Sequence, residues 1–81
     1  MSADSTQHLV RMANQIADAF IAAPHEQAVQ SVANHIRSFW APVMRKRLMD
    51  YAAAHGAELK PLALQGLEVL KAGEAKMSRG G

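Results

Sequence analysis

Cysteine is absent from the 81 residues, which excludes a disulfide staple and any thiolate metal site. The absence fits a reducing compartment without demanding one. Long hydrophobic runs are missing too. No apolar stretch approaches the roughly 18 residues needed to span a bilayer, and the N-terminus lacks a basic region followed by an apolar run. These features predict a soluble cytoplasmic protein with no membrane partner. Aromatic side chains are few, one Trp, one Tyr and two Phe, so each ring weighs heavily in a small core. The net charge of +2 is too small to argue for nucleic acid by itself. Its distribution says more: no acidic residue occurs between Glu26 and Asp50, while Arg37, Arg45, Lys46 and Arg47 all fall there.

Catalysis needs convergent groups, and the motifs that supply them are also missing. There is no Gly-rich phosphate loop, no His-Glu-x-x-His and no Gly-x-Ser-x-Gly. His8, His25, His35 and His55 stand at wide, irregular spacings, and Asp18, Glu26, Asp50, Glu58 and Glu68 fall one to a helix or loop. Nothing pairs two carboxylates for acid–base work. The expectation is a chain with no catalytic, cofactor-binding or metal-ligating residues. A single domain this short buries only roughly 60–65% of its unfolded surface when it folds alone. Its stability should be marginal, which points to oligomerisation or docking on a larger partner.

The most informative stretch runs from Asn34 to Leu48, with the only Trp, one Phe and the densest basic run. Pro42 disfavours helical geometry at Ala41, so a helix arriving from the N-terminal side stops near Trp40, and Pro42 suits the first position of the next helix. Phe39 and Trp40 therefore sit at a corner. Two readings stay open: the rings fill the angle between two helices, or they stand out as anchors for a partner.

The rest of the chain reads as helices around that corner. Leu9, Met12, Ala13, Ile16, Ala17 and Phe20 form one apolar stripe, and Asp4 with Gln7 resembles a capping box, so the first helix starts near Ser5 and ends around Ala22. Pro24 and Glu26 suit the first turn of a second helix, on which Val29, Val32, Ala33, Ile36 and either Phe39 or Trp40 repeat the spacing. The short link predicts a hairpin of helices one and two. The third helix is expected from Pro42 to about His55, with Met44, Leu48, Tyr51, Ala52 and His55 inward, Arg45, Lys46 and Asp50 outward, and Gly56 as a left-handed cap. The Arg47 stem can lie along the core while its guanidinium reaches water. A fourth helix from Pro61 to about Lys71 carries Leu62, Leu64, Leu67, Val69 and Leu70 on more than one side, which suggests burial on two sides. Gly66 weakens it by roughly 1 kcal/mol relative to Ala. The fold class is thus an all-α bundle of three to four helices. One domain covers 5–71, and 72–81 form a disordered tail.

Helix, corner and basic helix can be imagined as a helix-turn-helix. Such motifs usually carry a Gly in a three- or four-residue turn, whereas Trp40 and Pro42 occupy this one, and the cations are too few for a large phosphate footprint. That leaves a protein-interaction module.

The run His8-Leu9-Val10-Arg11-Met12-Ala13-Asn14-Gln15-Ile16-Ala17 with Phe20, then Ala28-Val29, then Val32 through Arg45, resembles the small delta subunit of cytoplasmic NAD-dependent formate dehydrogenases. Pro61-Leu62-Ala63-Leu64 fits as well. The resemblance covers roughly residues 8–70 and departs at the corner, where family members commonly carry an acid before the proline and an arginine after it; Ala41 and Val43 stand there instead. It implies a non-catalytic accessory subunit without a cofactor of its own. The partner it implies is a catalytic subunit carrying a molybdenum or tungsten pterin and iron–sulfur clusters, and the implied role is assembly or stability. The residues expected at the partner interface are Asn34, His35, Arg37, Phe39, Trp40, Pro42, Met44, Arg45 and Arg47. The alternatives from other classes are a self-associating helical module and a small nucleic-acid binder.

Overall fold

A computed structural model describes the backbone of residues 2–80 and the side chains of residues 6–74. Four helices make up the fold: α1 (Ser2–Phe20), α2 (His25–Phe39), α3 (Pro42–His55) and α4 (Pro61–Gly80), with a single 3-10 turn at Gly56–Glu58 between the last two. Among the described residues there is no strand. The all-α class and the helical count agree with the sequence reading. The Asp4 capping box lies outside the described side chains.

The core follows the apolar spacing. Leu9, Ala13 and Ala17 of α1, Val32, Ala33 and Ile36 of α2, Leu48 of α3, and Leu62, Ala63, Leu67 and Leu70 of α4 are buried together, with Leu59 from the linker. Helix α2 is the centre, packing on α4 more extensively than on any other element and also touching α1. The α2–α4 seam explains Gly66. A Cβ there would lie 2.5 Å from Val32 Cγ1 and 2.9 Å from Val32 Cβ, closer than atoms can pack. The residue that weakens α4 as an isolated helix is the one that lets two backbones approach. The expected two-sided burial of α4 is therefore satisfied within the chain over much of its surface.

Four expectations are corrected. Gly56 is not a left-handed cap, since its φ of −58° and ψ of −25° are right-handed; it opens the 3-10 turn, and Leu59 N donates to its carbonyl at 3.0 Å. His55 is exposed rather than inward, its ring tilted against Tyr51 at a centroid distance of 4.7 Å. Arg45 does not face away: it is half-buried and bonded within the chain, as described below. Helix α4 continues past Lys71 to Gly80. Ala72, Glu74, Ala75, Lys76 and Met77 are good helix formers that need no apolar stripe to propagate a helix already started.

A polar clamp closes the other side of the bundle. The Asn14 amide holds the α3–α4 linker twice, its Nδ2 donating to the Glu58 carbonyl at 3.1 Å and its Oδ1 accepting from Lys60 N at 2.8 Å. Lys60 pairs with Asp18 beside it. Tyr51 donates to Glu58 Oε2 at 2.8 Å and accepts from Gln7 Nε2 at 3.0 Å, and the bond to Glu58 holds the Tyr51 phenol above its ordinary value. Three segments far apart in sequence are thereby tied across one edge.

Candidate protein-interaction site

The corner forms as its sequence dictates. Trp40 ends α2 in an extended conformation, with φ −103° and ψ 140°, and its N–H still donates to the Ile36 carbonyl. Ala41 is extended too, with φ −67° and ψ 150°, and Pro42 follows at the first position of α3. The Ala41 carbonyl accepts from Met44 N at 3.0 Å and from Arg45 N at 3.2 Å, so the new helix starts without a side-chain cap.

At this corner the two rings part company. Trp40 is 4% exposed and belongs to the core, whereas Phe39 is 74% exposed. The spacing from Ile36 admits either residue, because i+3 and i+4 both lie on its face. The choice is made after the helix ends: the extended backbone at Trp40 turns its ring under the bend and leaves Phe39 on the outer flank of α2.

Phe39 has company there. His35, one turn earlier, packs its ring against Phe39 at 4.7 Å and edge-on against Phe20 of α1 at 6.5 Å. Met12, Gln15, Ile16 and Ala19 of α1 complete an open apolar groove of about 410 Å3 between α1 and the C-terminal half of α2. Val43, 63% exposed in the first turn of α3, lines a separate shallow hollow with Lys46, Arg47 and Asp50.

The basic residues go elsewhere. Arg45 Nη1 donates to the Arg37 carbonyl at 3.2 Å and approaches the Trp40 carbonyl at 3.5 Å, and its Nε stands 2.9 Å from Glu74 Oε2 of α4. A cation at the C-terminal end of α2 meets carbonyls left over when the helix stops. Arg37 donates to Asn34 Oδ1 at 3.3 Å and leans over Gly73, where a Cβ would come within 3.3 Å of its Nη2. Lys46 pairs with Asp50 one turn on, both largely exposed. Arg47 is exposed and has no ion pair among the described residues.

The nine residues expected at an interface therefore do not share one face. His35 and Phe39 open toward α1, Arg37 and Arg45 turn toward α4, and Pro42 and Arg47 lie on the outside of the corner. Asn34 is exposed on α2, while Trp40 and Met44 are used by the core. Of the groove wall, Gln15 and Ala19 were not singled out, and Met12, Ile16 and Phe20 were assigned only to the core stripe by the sequence. The signal for them was the width of that stripe, since Met12, Ile16 and Phe20 are half-buried beside fully buried Ala13 and Ala17.

Among the described residues no group of three or more His, Asp and Glu is placed to hold a metal ion, and no helix is long and apolar enough to cross a membrane. No curated protein and no solved structure matches the chain. A family model does, over residues 8–67, from the α1 wall of the groove through the Phe39–Trp40 corner to Leu67 in the α4 core: the one described as NADH-dependent formate dehydrogenase delta subunit FdsD. With that match covering well over half its length, the chain belongs to the family of delta subunits of NADH-dependent formate dehydrogenase.

Proposed function

We propose that this chain is a non-catalytic accessory subunit of a cytoplasmic NAD-dependent formate dehydrogenase, and that it docks on the catalytic subunit to support assembly or stability of the complex. The family membership carries this reading. The fold agrees with it. Phe39 is 74% exposed and lines the groove between α1 and α2, and an exposed large apolar side chain on an apolar groove is a feature of interaction surfaces. The partner implied by the family is the subunit that carries the molybdenum or tungsten pterin and iron–sulfur clusters. The chain's own contribution is shape and surface, and formate oxidation takes place on other subunits.

The nucleic-acid alternative loses ground in the geometry of the basic run. Of Arg45, Lys46 and Arg47, the first is half-buried against Glu74 and the second pairs with Asp50, so the phosphate footprint shrinks further. The test is capture of the tagged chain from its own cytoplasm, with the bound proteins identified by mass spectrometry and the eluate assayed for formate-dependent NAD reduction. Recovery of the molybdenum- or tungsten-bearing subunit with activity is the expected result. Recovery of the chain alone, or of nucleic acid, overturns the proposal.

A further inference from the structure

The helices are not equally well rooted. Helix α2 buries Ala28, Val29, Val32, Ala33 and Ile36, whereas Leu48 is the one buried side chain among the 14 residues of α3. Met44, Met49, Tyr51 and Ala52 are only partly buried against the core. A hollow of about 160 Å3 remains between α3 and α4, lined from α3 by Met49, Ala52 and Ala53 and from α4 chiefly by Leu64 and Leu67, so the two helices do not close on each other there. Polar ties supplement this sparse attachment at each end. Near the start, Arg45 Nη1 donates to the Arg37 carbonyl at 3.2 Å, while its Nε and Glu74 Oε2 stand 2.9 Å apart, shut from water yet without an aligned hydrogen bond. Near the end, Tyr51 accepts from Gln7 of α1 at 3.0 Å in an exposed position. An ion pair that is poorly aligned and away from water holds weakly, because opening restores the hydration that pairing removed.

The flanks of this segment are fixed more firmly than its middle. Trp40 and Leu59 are each 4% exposed, and the Asn14 amide holds the Glu58 carbonyl and the Lys60 N–H against α1. Just inside these anchors the helical ladder is interrupted. That of α2 ends with Trp40 N donating to Ile36, that of α3 starts at the extended Ala41, and the 3-10 turn at Gly56–Glu58 separates α3 from the pinned linker. A segment with few buried contacts, set between two firm anchors, is the kind of unit that opens without the rest of the fold. We propose that α3 is a detachable strap, opening as one unit between Trp40 and Leu59 while α1, α2 and α4 stay packed through the Gly66 seam. Opening brings Leu48 into water and uncovers the core face beneath it, so any molecule that binds one of the two states better biases the equilibrium between them. The inference concerns the chain itself and stands apart from the accessory-subunit reading.

The test is native-state hydrogen exchange of the free, full-length chain in graded urea below its unfolding transition. Amides of Leu48 to Ala54 are expected to share one opening, with protection at least about tenfold below that of Val32 to Ile36 and with a smaller urea slope, since less surface is exposed. Two variants separate the strap from the body. Val32→Ala damages a seam that stays closed when α3 opens, so it should lower protection in α2 and α4 by about tenfold or more and leave α3 at the parent's values. Arg45→Gln breaks a tie that is lost in either kind of opening and should lower protection in both regions by the same factor. Because the chain has no cysteine, a thiol reagent gives a second readout. Leu48→Cys should be labelled at least about tenfold faster than Leu70→Cys, both positions being 0% exposed in the parent, with helical circular dichroism retained in each. A single urea dependence shared by α3 and α2 with Val32→Ala lowering both alike, or equal labelling of the two thiols, overturns the strap. Exchange of the α3 amides one by one, without a common urea slope, overturns it too, since that is fraying rather than opening as a unit.

Discussion

The two flanks of α2 are built to different ends. Toward α4 the helix is sealed: Val32 and Ala33 meet the bare backbone of Gly66, and Ile36 and Leu70 are fully buried nearby. Toward the far end of α1 the same helix stays open, with His35 half-buried and Phe39 74% exposed above a groove. A chain of this size has little apolar surface to spare, so leaving Phe39 exposed and Met12, Ile16 and Phe20 only half-buried forgoes stability that the fold had the residues to claim. The lesson is that one flank of α2 holds the molecule together while the other leaves apolar surface open.

The comparison can be broken most severely at Trp40. Trp40→Ala empties the space under the corner and should cost about 3–5 kcal/mol, enough to unfold much of the protein, as read by urea denaturation followed by circular dichroism. Gly66→Ala comes next. The added Cβ gains about 1 kcal/mol in helix propensity but forces α2 and α4 apart, at about 1–3 kcal/mol for an overpacked core; a net loss of thermal stability is expected. Val32→Ala should rescue it only in part, because it removes the contact at 2.5 Å and leaves the one at 2.9 Å. Full rescue, or a gain from Gly66→Ala alone, would show that the sealed flank is looser than described.

Away from the seam the effects shrink. Asn14→Ala removes both bonds to the Glu58–Lys60 linker and should cost about 1–3 kcal/mol at roughly 0.5–1.5 per bond, with faster amide exchange at Lys60 as the local signature. Tyr51→Phe probes the same edge by pH. Since the phenol is held above its ordinary value by the bond to Glu58, the contact stabilises the fold at pH below about 10 and fades as pH rises through the raised folded value. The substitution should therefore flatten the alkaline limb of the stability profile. Phe39→Ser sits at the bottom of the scale for stability, within about 0.5 kcal/mol of the parent as befits an exposed side chain.

Much of this architecture is legible in the residue pattern. The stripes of α1 and α2 and the Pro42 start of α3 follow from apolar spacing and backbone restriction, which act locally and leave a local trace. The remaining features depend on neighbours remote in sequence. Gly66 reads as a weakness until Val32 is seen against it, and Asn14 reads as a solvated position until the linker folds onto its amide. Arg45 lies off the local stripe of α3, yet it serves the end of α2 and pairs with α4. The candidate site was half legible for the same reason. The corner was found because Phe39, Trp40 and Pro42 are adjacent, but its division into a core ring and an outward ring depends on the extended backbone at Trp40, and the α1 wall of the groove depends on how two helices meet.

The most direct measurement is hydrogen–deuterium exchange of the chain alone and in the formate dehydrogenase complex. The open-flank account predicts added protection on assembly in residues 8–20 and 31–39, with little change across the already sealed 61–70. Protection gained mainly in 56–70, or none gained anywhere, would contradict it.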